Sequence, residues 1–248
     1  MKTLTLLVAH ARLMLAELFR APGYVIPTVG FPAMFFTIFA MPYARDASSA
    51  DFELLSYVAF AIIGVTLFQF GVGIAAERGR PWDRYVRTLP APPEVRFAAR
   101  IIAALVFGVA AGGLVAVVAR IFTPVDLNAE QWMLLALYAL LGGIPFVLFG
   151  ITIGYWTSAR AALPIANVCY LLLSFAGGLW LPPRMLPGIA AAVSPFLPTR
   201  QFAELLWSIS GGGSRNAFHA LGWLGYYAAF FAVVAAIGYH RDEHRRYA

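Results

Sequence analysis

Residues 54–76 read LLSYVAFAIIGVTLFQFGVGIAA, a run without one Asp, Glu, Lys, Arg or His. A helix needs about 20 apolar residues to cross a bilayer. Inside the hydrocarbon every backbone N–H and C=O must be satisfied within the segment, so an uncharged run of this length reads as a membrane-spanning helix. The pattern recurs at Tyr24–Pro42, Ile101–Ala119, Trp132–Gly154, Leu163–Leu181 and Leu221–Tyr239, again without a charged side chain. With Leu54–Ala76 these make six predicted spans. The fold class expected is therefore an all-α integral membrane protein.

Composition agrees. Of 248 residues, 61% are hydrophobic and only 12% charged, with a mean hydropathy of +0.75. A soluble domain carries about 25% charged residues, so a soluble enzyme and a disordered tail are both excluded. The net charge of +6 does not point to nucleic acid, because the basic residues cluster between the apolar runs. With a cytoplasmic N-terminus, thirteen basic residues fall on the cytoplasmic side and five on the other. The positive-inside bias then predicts that both termini are cytoplasmic. Cys169 is the single cysteine, which rules out an intrachain disulfide and argues against a Cys-based metal site.

Three segments outside the spans carry pattern. In residues 1–21, Leu4, Leu7, Val8, Ala11, Met14, Leu15 and Leu18 share one helical face, opposite Lys2, Thr5, Arg12, Glu17 and Arg20. This predicts an amphipathic helix lying in the membrane interface. Residues 77–100 form a basic loop in which Pro81 can open a short helix reaching about Thr88, with Trp82 and Tyr85 on one face. Residues 182–220 are too apolar for a simple loop and too broken to span. Met185–Val193 and Thr199–Ser208 are the predicted short helices there, half-inserted and re-entrant before the last span. Small-residue pairs at Gly108/Gly112 and Gly150/Gly154 permit close helix packing.

The chemistry that is missing matters as much. Lys2 is the only lysine and has no glycine-rich loop before it, so there is no phosphate-binding P-loop. The predicted spans hold no ionisable side chain to bind a coupling ion. His240 and His244 are four apart beside Asp242 and Glu243, but no third ligand or open site accompanies them, so no metal site is predicted. No catalytic residue is predicted either, which leaves an intramembrane enzyme as the weakest reading. The chain reads as one that forms a path or a scaffold and takes its energy from a partner.

That conclusion meets a family pattern. Phe19-Arg20-Ala21-Pro22 follows the amphipathic segment. Glu77-Arg78-Gly79-Arg80-Pro81-Trp82-Asp83-Arg84, then Thr88-Leu89-Pro90 and Glu94, shape the first cytoplasmic loop. Leu181-Pro182-Pro183-Arg184-Met185-Leu186-Pro187 and Ser194-Pro195-Phe196-Leu197-Pro198 precede the last span. In this order they resemble the permeases of the type-2 class of ATP-binding-cassette (ABC) transporters, a class of bacterial exporters of drugs, polysaccharides and lipids. Pro81 and the displaced glycine depart from the family's loop.

The resemblance implies one permease domain over 1–248, in a bacterial plasma membrane. It would pair with a second copy or a sister permease and dock separate ABC ATPase subunits that hold ATP and Mg. It implies coupling contacts from Glu77, Arg78, Arg80, Trp82, Asp83, Arg84, Tyr85 and Arg87. A substrate path would run past Phe35, Phe36, Phe68, Gln69 and Asn167, under an outer gate at Pro182, Pro183, Pro187 and Pro195. Membrane lipid is the remaining partner, and nucleic acid is not one. The alternative expectation is an ATPase-coupled scaffold or sensor that moves nothing itself.

Overall fold

The structure is a computed structural model that describes residues 2–78, 93–213 and 216–247. The regular elements among them are all helical. Helix α1 is Lys2–Phe19. Six helices contain a stretch long and apolar enough to cross a membrane: α2 (Pro22–Ala40), α3 (Ala47–Arg78), α4 (Pro93–Phe122), α5 (Ala129–Trp156), α6 (Ala159–Ala176) and α9 (Ala217–Tyr247), the apolar stretch being Phe97–Phe122 in α4 and Ala217–Asp242 in α9. Two short helices, α7 (Gly188–Val193) and α8 (Pro198–Trp207), lie between α6 and α9.

Local chemistry sets the boundaries. Pro22 opens α2, where a missing N–H costs nothing. Asp46 caps α3, accepting from the Ser49 N–H at 2.9 Å while the Ser49 hydroxyl faces the Asp46 N–H at 3.2 Å. Asn128 and Gln131 form the same reciprocal cap on α5, at 2.9 and 2.8 Å. α6 ends at Ala176, five residues before the predicted Leu181. Gly178 there adopts φ +83°, and a Cβ at Gly177 would lie 2.4 Å from the Thr199 hydroxyl, so the chain turns where α8 crosses it.

α3 is the centre of the molecule. In its most apolar window 78% is buried, against 17% to 33% for the other five spans. A span enclosed this fully is surrounded by protein, whereas the others leave apolar faces for lipid. α5 approaches α3 through one of the two predicted glycine pairs. A Cβ at Gly150 would lie 2.8 Å from the Thr66 carbonyl oxygen, and one at Gly154 would lie 2.9 Å from that of Phe70. The other pair has no such role, since Gly108 has nothing within 4 Å and Gly112 meets only a Val58 methyl at 3.6 Å.

α3 also starts earlier than its apolar run. The cap at Asp46 carries the helix through Asp51 and Glu53, and both are buried. The expectation that no ionisable side chain enters the spans is corrected at this point. Asp51 is matched, accepting at 3.0 Å from the N–H of Asp126 in the link between α4 and α5.

The basic loop is shorter than the predicted 77–100. α3 runs to Arg78 and α4 begins at Pro93, which places Arg100 seven residues inside a helix. The predicted coupling residues Arg80, Trp82, Asp83, Arg84, Tyr85 and Arg87 lie outside the described residues.

Helix α1 packs on α4, with Phe19 stacked on Phe107 at 4.9 Å. Leu15 and Leu18 face the same core, while Leu4 and Val8 of the predicted apolar face are exposed.

The segment before α9 folds back against α3, α5 and α9. α8 is buried from Pro198 through Trp207 except at Arg200, which is half-buried. Phe202 occupies the space over Gly142, and Trp207 donates its indole N–H to Ser56 at 2.8 Å while stacking on Phe52 at 4.6 Å. Most polar groups of α8 are matched: the Thr199 hydroxyl donates to the Leu173 carbonyl of α6 at 2.7 Å, while the Gln201 side-chain oxygen has no partner among the described residues. Arg200 holds Glu204 at 2.6 Å, and the Gln201 amide donates to the Pro195 carbonyl at 2.6 Å. Of the predicted gate prolines, Pro182, Pro183 and Pro195 are half-buried and Pro187 is exposed.

Candidate translocation cavity

A cavity of about 640 Å³ opens between α1, α2, α3 and α6, with Arg100 of α4 at one end. α3 supplies its long wall, from Glu77 to Phe60. The eighteen residues of helix make that wall about 25 Å long.

The wall is graded along its length. At the Arg78 end, α3 contains a π-helical turn over Leu67–Val72. Such a turn inserts an extra residue and takes carbonyls out of the α pattern. The Gln69 carbonyl is taken up by the Arg100 guanidinium at 2.7 Å, and the other arm of Arg100 pairs with Glu77. Gly73 leaves the room for this crossing, because a Cβ there would lie 2.5 Å from the Arg100 nitrogen. The Gln69 side chain is held as well: Tyr24 of α2 donates its hydroxyl to Oε1 at 2.5 Å, and the amide nitrogen faces the Met14 sulfur of α1 at 3.9 Å. Gln69 therefore joins four helices through one buried side chain and one carbonyl.

At the opposite end the wall is aromatic. Phe60 stacks on Tyr170 at 4.4 Å, and Phe68 meets Tyr170 edge-on at 5.7 Å. Phe35 and Trp180 each lie about 5.5 Å from Phe60 (5.5 and 5.6 Å) and from one another (5.5 Å). Tyr170 reaches this position because residue 64 is glycine, where a Cβ would lie 2.8 Å from the phenol oxygen. The arrangement is a polar mouth leading to an apolar, aromatic closure.

Phe35, Phe68, Gln69 and Asn167 of the predicted path line this cavity. Phe36 does not. It is fully buried in the core, edge-on to Tyr57 at 5.6 Å, because neighbouring helical positions point about 100° apart. Sequence reasoning missed Tyr24, Phe60, Tyr170 and Arg100. The Gly64 spacing on a stripe with Phe60 and Phe68 was the available signal for the first aromatic; Arg100 gave none, since it reads as loop.

Of the residues expected to couple, the two described, Glu77 and Arg78, are fixed in place. Glu77 pairs with Arg100. Arg78 donates to the Gly154 carbonyl at 2.5 Å, pairs with Asp242 of α9 and lies over the Tyr155 ring at 5.3 Å. Both ends of the 79–92 segment are thus tied to the spans, one directly through Arg78 and one through α4.

This geometry sits in a chain whose residues 5–209 match the ABC-2 type transporter family. The chain belongs to that family. The matched stretch runs from α1 through α8 and ends before α9. Among curated proteins, the Bacillus subtilis (strain 168) protein "Putative transport permease YvfS" is 29% identical over 161 residues. That similarity covers 65% of this chain and 66% of the relative's own length. The protein is a multi-pass membrane permease of the ABC-2 type.

Proposed function

We propose that this ABC-2 permease is the transmembrane subunit of an ATP-driven exporter. It pairs with a second copy or a sister permease, and each permease docks an ATPase subunit that holds ATP and Mg. Both termini lie in the cytoplasm, in keeping with the distribution of arginines. The 79–92 segment carries the coupling helix, and the cavity is the entrance for cargo from that side. The proline-rich segment at 182–213 closes the path on the outer side.

One observation carries this reading. Glu77 and Arg100, which bracket the loop, also build the polar end of the cavity wall. A pull on the loop is therefore transmitted to Gln69 through two polar contacts, Glu77 to Arg100 and Arg100 to the Gln69 carbonyl. A chain that only anchored an ATPase would have no use for a route from the loop to a cavity. The cavity therefore favours translocation over the scaffold reading.

The test is purification of the tagged chain from its own host in mild detergent, followed by ATP hydrolysis and flux into inside-out vesicles. A stoichiometric ATPase and ATP-dependent uptake are expected, and replacing Arg84 and Arg87 by Glu should release the ATPase without loss of membrane insertion. A chain that emerges alone from several mild detergents sinks the partner model. A hydrolysing complex that moves no cargo turns the reading toward a scaffold.

A further inference from the structure

α3 carries a stripe that the cavity uses only in part. Glu53, Tyr57, Phe60, Gly64 and Phe68 follow one another at spacings of four, three, four and four, which puts them on one helix face. Phe60, Gly64 and Phe68 line the cavity. Glu53 and Tyr57 continue the same face past the aromatic closure, toward the end where α8 is folded in.

Both are deeply buried, Glu53 at 5% exposure and Tyr57 at 0%. The Tyr57 hydroxyl has no hydrogen-bond partner among the described residues, and neither has the indole N–H of Trp180, whose ring meets Phe60. The Glu53 carboxylate is outside the described ion pairs, which join Arg78 to Asp242, Arg100 to Glu77 and Arg200 to Glu204. A carboxylate and a phenol withdrawn this far from water are costly unless something matches them. Ionisable side chains at membrane depth mark ligand and ion pathways. Phe60 lies edge-on to Tyr57 at 6.0 Å and Trp180 edge-on to Phe60 at 5.6 Å, and aromatic rings of this kind attract a positive charge.

We propose that Glu53 and Tyr57 form a binding station for an organic cation on the outer side of the aromatic closure. This assignment rests on reading the cavity as a cargo path. The cargo class is an amphiphile with a protonated or quaternary nitrogen. Its apolar body leaves the cavity between Phe60, Tyr170 and Trp180, and its charge is received by the Glu53 carboxylate. The Tyr57 hydroxyl oxygen accepts a second contact when the cation carries an N–H. A neutral cargo of the same size gains nothing from the station.

The experiment uses the full chain with its ATPase in lipid nanodiscs. Tetraphenylphosphonium binding is measured by equilibrium dialysis, with neutral N-phenyl-1-naphthylamine as the control probe. Glu53→Gln should weaken tetraphenylphosphonium binding about tenfold and leave the neutral probe unchanged. Glu53→Asp keeps most of the affinity. Because Glu53→Gln can disturb folding, Tyr57→Phe is tested with it on a naphthylmethylammonium probe, with an expected loss of about threefold.

A wild-type chain that binds no tetraphenylphosphonium, or a Glu53→Gln chain that binds it normally, overturns the station. ATP-driven uptake into vesicles separates the two readings. Glu53-dependent binding without uptake upholds the station and removes the export reading. Uptake of the neutral probe with no Glu53-dependent cation binding does the reverse.

Discussion

Along one face of α3, the half near Arg78 and the half near Asp46 treat polar groups in opposite ways. In the first, Gln69 is engaged through side chain and carbonyl, and Arg100 spans from that carbonyl to Glu77. In the second, the buried Tyr57 hydroxyl has no partner among the described residues, one turn from a buried Glu53, and neither has the indole N–H of Trp180 against Phe60. Each unmatched group costs about 1–3 kcal/mol. On the proposed reading the matched half transmits displacement, because its contacts are already made, and the unmatched half leaves bonding capacity for cargo.

The comparison breaks most readily at Arg100. Arg100→Ala should destabilise the protein by about 2–4 kcal/mol, since it strips a buried cation from Glu77 and leaves the Gln69 carbonyl unmet. Arg100→Lys should recover part of this, and the apparent Tm in a fixed detergent reads both. An unchanged Tm for Arg100→Ala would mean that the matched half is not rigid. Next in size is Gly150→Ala, which sets a methyl against the Thr66 carbonyl and should cost about 1–3 kcal/mol on the same scale. If it is silent, α5 does not hold α3 by backbone contact.

The smallest effect sharpens the contrast most directly. Tyr24→Phe removes a made hydrogen bond and should cost about 1 kcal/mol, whereas Tyr57→Phe removes an unmatched hydroxyl and should leave the Tm unchanged or slightly raised. Equal losses from the two substitutions would erase the difference between the halves.

Much of the architecture was legible because uncharged runs leave few alternatives to spanning. The ends were less so. Asp46 extends α3 by seven residues beyond its apolar run, and a polar cap gives no hydropathy signal. Gly177 and Gly178 end α6 early for a reason that lies in Thr199, which is distant in sequence. In the proline-rich segment the prolines marked α7 and α8 closely, at Gly188–Val193 and Pro198–Trp207. What α8 rests on depended on Gly142 and Ser56, which no local pattern connects to it. The cavity was half readable. Phe35, Phe68, Gln69 and Asn167 line it, while Phe36 turned inward and Arg100, reading as loop, became the polar anchor of its mouth.

The pairing of Arg78 with Asp242 joins positions 164 residues apart. During synthesis the foot of α3 leaves the ribosome long before its anchor on the last helix exists. Its other partners, Gly154 and Tyr155 of α5, are also distant in sequence but arrive earlier. The root of the 79–92 segment therefore acquires its final tether only when the last span has been inserted, which makes completion of that helix a late step of maturation.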